Sequence, residues 1–291
     1  MNRIFNFFKK YWIRIKKIIK YSIITTTSIF TFGLIFISDE LILNKEKDLI
    51  KCDWMLKIES TYKPLFYKSM IFISIFLILF IVFTLYYVFR SKIKISGNDY
   101  LIEIRYGDIF KIKNSIPVVH SDECFSSHLG EAPGDIKGSS IYGQYLQCHE
   151  NLNILEIIAK NNVKPEKSHS KFNNQHCYMP GTILYNEDAL ILAFARLDKD
   201  GCAEFDSLED YMKCLSYMWQ EIRAKHGDKD VAVSVLGSGR TRINGVSLSK
   251  QEIFDYFILS YKLSMYKLQR NYKLIICCER EEISLDKIKV I

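Results

Sequence analysis

The sequence predicts an α/β domain behind an N-terminal helical hairpin, and three observations carry that reading. Strand-like and helix-like segments alternate from residue 100 onward, and two long uncharged runs precede them. The charge is divided to match: residues 1–96 hold 16 basic and 6 acidic side chains, and residues 97–291 hold 24 and 27. The formal +7 therefore belongs to the N-terminal third. A nucleic-acid-binding protein concentrates basic residues on its folded domain; this chain does the reverse, which disfavours DNA or RNA as a partner.

Residues 1–20 form a basic stretch interleaved with Phe5, Phe7, Phe8, Tyr11 and Trp12, suited to a headgroup layer. The first uncharged run, Tyr21–Ser38, has 18 residues and is extended past Lys20 by Ile18 and Ile19. The second, Ser69–Phe89, has 21 residues and is more apolar. As a helix it measures roughly 31 Å at about 1.5 Å per residue, the thickness of a bilayer core. A hairpin over residues 21–96 is expected, with spans at 18–38 and 69–89. No small-x-small cleavage site follows the first run, so a secretory signal is not expected.

Arg3, Lys9, Lys10, Arg14, Lys16, Lys17 and Lys20 precede the first run, and Arg90, Lys92 and Lys94 follow the second. The loop at 39–68 balances six basic against six acidic residues. Basic flanks on both outer sides predict a multi-pass protein of the cell membrane, with its N-terminus and downstream domain cytoplasmic. Eight cysteines without disulfide spacing fit a reducing compartment, Cys52 alone falling in the outer loop. Ser22, Thr25, Thr26 and Gly33 share about a third of the first helix's circumference. Such a small, polar stripe suits close helix packing, or the lining of a pore in an oligomer.

Residues 97–291 read as one globular domain, joined to the second span by the short segment SKIKISGND. Tyr100–Arg105 and Pro117–His120 have strand composition, and Leu152–Lys160 has helical spacing. Thr182–Tyr185 and Ala189–Ala195 flank Asn186-Glu187-Asp188 as a hairpin. Leu208–Lys225 is a helix with Ser207 and Asp210 at its start. Val231–Leu236 is an apolar strand, Ser249–Tyr266 a helix opened by the capping box Ser249-x-x-Glu252, and Lys273–Cys278 a last strand. This alternation predicts three α/β layers with ligands at the carboxyl ends of the strands.

Three strand ends carry unusual loops. Gly107-Asp108-Ile109-Phe110 follows the first strand, and a carboxylate after a tight glycine turn can accept from an exocyclic amine such as adenine's. Gly237-Ser238-Gly239-Arg240-Thr241-Arg242 follows the apolar strand and has the chemistry of a diphosphate cradle: freed backbone N–H groups, hydroxyls and fixed positive charge. It is not a P-loop, because G-x-x-x-x-G-K-[ST] is absent. Gly138-Ser139-Ser140-Ile141-Tyr142-Gly143-Gln144-Tyr145 is a small-residue loop with aromatics to cover a sugar or base. His120-Ser121-Asp122-Glu123-Cys124-Phe125 brings polar groups close by.

Together these residues resemble the macro domain, an ADP-ribose-binding module. More specifically, the chain resembles the macro-domain effectors of bacterial Thoeris anti-phage defence that carry a transmembrane hairpin. The resemblance rests on the hairpin, G-D-I-F, D-E-C-F, S-I-Y-G, M-P-G-T-I, L-x-x-Y-x-x-x-L-x-x-x-W, G-S-G-R-T-R and I-S-L-D-K-I-K, in that order over nearly the whole chain. It implies a three-layer α/β/α macro-like fold with a mixed sheet. It implies a ligand, histidine–ADP-ribose or a related conjugate, made from NAD by a TIR-domain partner. Asp108 and Ile109 would hold adenine, and Gly237, Ser238, Gly239 and Arg240 the diphosphate, with Thr241 and Arg242 beside them. Asp122, Glu123, Ser140 and Tyr142 would meet the rest. Ligand-driven homo-oligomerisation would then disrupt the membrane and abort infection.

The departures bear on chemistry. Catalytic macro domains carry an asparagine-rich strand end and a triple-glycine loop, where this chain has HSDECF and no Gly-Gly-Gly. A binding module is therefore expected, with no catalytic residues and no cofactor. The rival is a membrane-tethered ADP-ribosyl hydrolase using Asp122, Glu123 or a histidine, and a passive membrane scaffold is a third class. His120, His169, His176, Cys124, Cys148 and Cys177 lack metal-site spacing, so no metal is expected.

Overall fold

The computed structural model describes residues 2–34, 62–132, 134–166, 176–239, 241–279, 283, 285 and 288. They form two compact units, Met1–Arg90 and Ser91–Ile291.

In the first unit, α1 (Asn2–Leu34) is one helix that takes in both the basic stretch and the start of the first uncharged run. Helix α2 (Lys63–Phe89) opens with a proline in its first turn, where the missing N–H costs nothing. The Tyr21 ring meets Phe83 at 6.3 Å, and Phe30 meets Phe72 edge-on at 5.2 Å. Rising numbers on one helix meet falling numbers on the other, so the pair is antiparallel. Ile18, Ser22 and Thr26 repeat every four residues and are buried. Part of the small polar stripe is thus a packing face, as close helix contact requires.

Among the described residues one helix, not two, is long and apolar enough to cross a membrane: Pro64–Phe89, with mean hydropathy 2.7. Cys52 and the end of the first expected span lie outside the described residues.

The second unit is built on a mixed sheet. Its strands are β1 (Lys92–Ser96), β2 (Leu101–Tyr106), β3 (Ser115–Asp122), β4 (Ile183–Asn186), β5 (Ala189–Leu197), β6 (Ala203–Phe205), β7 (Asp230–Ser234), β8 (Arg242–Ile243) and β9 (Leu274–Cys278). They run in the order β1-β2-β9-β7-β3-β5-β6-β8, with β4 also on β5. The centre, β2-β9-β7-β3-β5, is parallel throughout, while β1, β4 and β6 join antiparallel. The carboxyl ends of five strands therefore share one edge. The hairpin expected around Asn186-Glu187-Asp188 is the β4–β5 pair.

Lys92–Ser96, read from the sequence as part of the join, is a strand. Its lysines face water while Ile93 and Ile95 are 4% and 2% exposed, the period-2 pattern of a half-buried edge.

Helices α3 (Ile141–Cys148), α4 (Ile154–Lys160), α5 (Leu208–Lys225) and α6 (Lys250–Leu263) cover the two faces. Successive residues of β3 and β5 point to opposite sides. Val118, Leu190 and Leu192 pack with Tyr211, Trp219, Phe254 and Tyr261 of α5 and α6. Val119, Ile191 and Ala193 pack with Tyr142, Tyr145, Ile154 and Ile157 of α3 and α4. Strand β5 is buried on both faces over its first seven residues, which explains its unbroken apolar composition. Ser207 and the capping box Ser249–Glu252 start α5 and α6 as expected.

Candidate functional site

A cleft of about 650 Å³ opens where β2, β9 and β7 end. Each wall follows from local sequence. Strand β2 stops at Gly107, whose φ of +140° favours glycine and whose N–H donates to the Cys278 carbonyl at 3.3 Å. The chain then turns through Asp108, whose Oδ1 accepts from the Phe110 N–H at 3.0 Å, while Oδ2 lies 3.6 Å from Lys111 Nζ. Ile109 is buried beneath this turn against Ala232, Ile275 and Cys277.

The opposite wall is the loop after β7. Gly237 has φ +84°, which reverses the chain out of the sheet. Tyr211 at the start of α5 donates its hydroxyl to the Leu236 carbonyl at 2.9 Å and pins the loop's base. The Ser238 N–H donates to the Val235 carbonyl at 3.2 Å, closing the turn on itself. A third wall is the start of α3: Ser140 Oγ caps the helix by accepting from the Gly143 N–H at 3.0 Å, and Ser139, Ile141 and Gln144 line the cleft beside it. The first turn of α3 supplies the positive end of a helix dipole to this wall.

Six of the residues singled out from the sequence thus line one cleft: Asp108, Ile109, Ser140, Gly237, Ser238 and Gly239. Others lie elsewhere. Asp122 is buried, its carboxylate accepting from the Ser126 N–H at 2.8 Å, from Ser126 Oγ at 2.6 Å and from Ser121 Oγ at 3.1 Å. Glu123 lines a different cavity. Tyr142 falls inside α3 rather than in a loop, and its ring is buried in the core. Thr241 is buried. Arg242 is held by Asp198 at 2.7 Å and Asp200 at 3.2 Å, so its charge is already neutralised. Arg240 lies outside the described residues. We expect Arg242→Ala to leave ligand affinity unchanged within about twofold and to cost no more than about 1 kcal/mol of stability, as read by calorimetry and denaturant melts.

Ser234, Lys250, Cys277, Cys278 and Glu279 also line the cleft, and no local motif marks them. Ser234 falls inside the strand expected over Val231–Leu236, but the strand ends at Ser234 itself. His120 lines the cleft as well. His120 Nδ1 and Ser234 Oγ are buried polar atoms with no hydrogen-bond partner among the described residues, which is costly unless a bound group satisfies them. Burial pushes the His120 pKa from 6.5 down to about 4, so the ring is neutral at physiological pH. Below about pH 6.5 the unfolded chain takes up a proton that the folded chain refuses until about pH 4. Folding stability should therefore fall by about 3 kcal/mol as the pH drops through that window. Denaturant melts across it should give a flatter curve for His120→Gln.

A mixed sheet with a parallel centre, helices on both faces and a cleft at the strands' carboxyl ends defines a macro-like α/β domain. The family model described as "Thoeris protein ThsA, Macro domain" matches residues 102–279. The chain belongs to that family. It is 25% identical over 232 residues to the Thoeris protein ThsA of Bacillus amyloliquefaciens (strain Y2), covering 76% of this chain and 77% of that one. An Oceanobacillus iheyensis macrodomain mutant aligns at 13% identity and a TM-score of 0.38, over 66% of this chain and 93% of that structure.

Proposed function

We propose that this chain is an anti-phage defence effector that senses an ADP-ribose-derived signal and acts at the membrane. The observation that carries the reading is the cleft at the ends of β2, β9 and β7. It joins an adenine-type acceptor, Asp108, to a glycine loop and a helix start, with His120 Nδ1 and Ser234 Oγ left for a ligand to satisfy. Asp108 and Ile109 hold the adenine. The Gly237–Gly239 loop, with Arg240 beside it, holds the diphosphate, and the start of α3 meets the distal part. Histidine–ADP-ribose from a TIR-domain partner is the ligand that the family membership favours.

The remaining steps concern the first unit. Residues 18–38 and 69–89 form a transmembrane hairpin in the cell membrane, with the macro-like domain cytoplasmic, and the antiparallel packing of α1 on α2 supports it. Ligand binding favours a self-associated state through its higher affinity for that state, since equal affinity for both shifts nothing. Association of the hairpins then permeabilises the bilayer and aborts infection.

The test is calorimetry on the full chain in lipid nanodiscs, titrated with ADP-ribose and with histidine–ADP-ribose, while mass spectrometry follows the ligand. Tighter binding of the intact conjugate supports the sensor. Absence of heat with both compounds removes the reading. Steady turnover transfers it to an ADP-ribosyl hydrolase, for which neutral His120 in the cleft wall is the proton acceptor on offer.

A further inference from the structure

We propose that Glu123, Cys124 and Cys177 form a metal site, a two-thiolate, one-carboxylate set for a divalent cation of the zinc class. It lies outside the cleft described above, and it ties the end of β3 to the segment that leads into β4.

Cys124 and Cys177 are 53 residues apart in sequence, and only the fold brings them together. Their sulfurs stand 3.6 Å apart. Both sulfurs and a Glu123 carboxylate oxygen lie within 4.8 Å of one another. Two thiolates on a tetrahedral zinc, each about 2.3 Å from the metal, are about 3.8 Å apart. The pair already has that separation, whereas a disulfide needs the sulfurs to close to about 2.05 Å. Cys124 and Cys177 are 8% and 2% exposed, so the thiolates would be shielded from water.

The backbone holds the ligands in place. Glu123 N–H donates to the Ala195 carbonyl at 2.9 Å, and Tyr178 N–H donates to the Glu123 carbonyl at 2.8 Å. The Cys177 carbonyl accepts from the Glu166 N–H at 2.8 Å. Asp122 finds its role here: by accepting from Ser126 it staples the turn that presents Glu123 and Cys124.

The electrostatics favour a cation. Glu123 faces a cavity of about 490 Å³ whose charged lining is Glu123, Glu166, Glu204, Asp206 and Asp210 against Arg196 and Lys213. Five carboxylates facing two cations leave a negative potential over the site. Binding would deprotonate both thiols and release two protons to solvent.

The test uses the full chain without a histidine tag, in detergent, stripped with chelator under reducing conditions and titrated with zinc against a chromophoric chelator. One zinc per chain is expected. Cobalt(II) in the unsubstituted chain should give the near-ultraviolet charge-transfer band of thiolate ligation. The Cys124→Ser, Cys177→Ser double variant should lose both signals, while Cys148→Ser, at an exposed thiol, keeps them. Absence of the cobalt band from the unsubstituted chain overturns the proposal, as does full zinc binding by the double variant. So does a Cys124–Cys177 disulfide that persists under the reducing conditions of the titration.

Discussion

Asp108→Ala should weaken binding of histidine–ADP-ribose by about ten- to a hundredfold, the loss of one charge-assisted hydrogen bond of about 1.5–3 kcal/mol. In the fold Asp108 has two functions, and the variants separate them. Oδ1 caps the short turn at Ile109–Lys111, and the carboxylate borders the cleft. Asparagine accepts from the Phe110 N–H as aspartate does, so Asp108→Asn keeps the turn and removes only the charge. Its affinity should fall by a smaller factor, about fivefold, with an unchanged melting temperature. Calorimetry reads the first effect and a thermal melt the second. Combining Asp108→Ala with Arg240→Ala should abolish the ligand response while membrane insertion persists. If the double variant responds like the unsubstituted chain, adenine and diphosphate are held elsewhere.

Trp219→Ala should cost about 3–5 kcal/mol, a large share of the stability of any single domain. Trp219 sits on α5 at the centre of the larger core, fully buried. Its ring lies 5.1 Å from Phe257 and 4.9 Å from Tyr261, both on α6. Its Nε1 donates to Ser260 Oγ at 3.0 Å, which satisfies the one polar atom the ring buries. Truncation opens a cavity between two helices that have few ways to collapse into it. Trp219→Phe keeps most of the volume and needs no donor, so it should cost less than half as much. Denaturant unfolding of the full chain, followed by far-ultraviolet circular dichroism, separates the two. Equal stabilities for both variants would mean that α5 and α6 do not depend on this contact.

The correct parts of the sequence reading are those governed by neighbours in the chain. Ser207 and Ser249 mark helix starts because a cap is a contact over three residues. The Asn186-Glu187-Asp188 hairpin follows from turn chemistry, and Gly107 and Gly237 announce reversals that few other residues accept. Because these reversals end two parallel strands, β2 and β7, that flank β9, the two loops meet at one edge of the sheet. That is why Asp108, Ile109 and Gly237–Gly239 were legible as one site.

The residues that do not line the cleft are set apart by longer-range contacts. The register of β3 on β5 shifts between Ser121 and Asp122, where β5 carries the extra residue, Phe194. Asp122 accepts from Ser126, a partner beyond the strand end, and Glu123 faces a separate cavity. Tyr142 turns inward because α3 begins at Ile141, earlier than the small residues led one to expect. Arg242 is claimed by Asp198, 44 residues away, a partner that no local pattern encodes.

By itself the sequence determined the alternation of elements, the caps, the turns and the apolar length of α2, because each depends on residues within a few positions of one another. Only the tertiary structure decided which strand-end side chains share a cavity, that Cys124 meets Cys177, and that His120 and Ser234 keep unpaired atoms in the cleft. Those facts depend on strand order, register and one bulge, and each is set by packing among residues tens of positions apart.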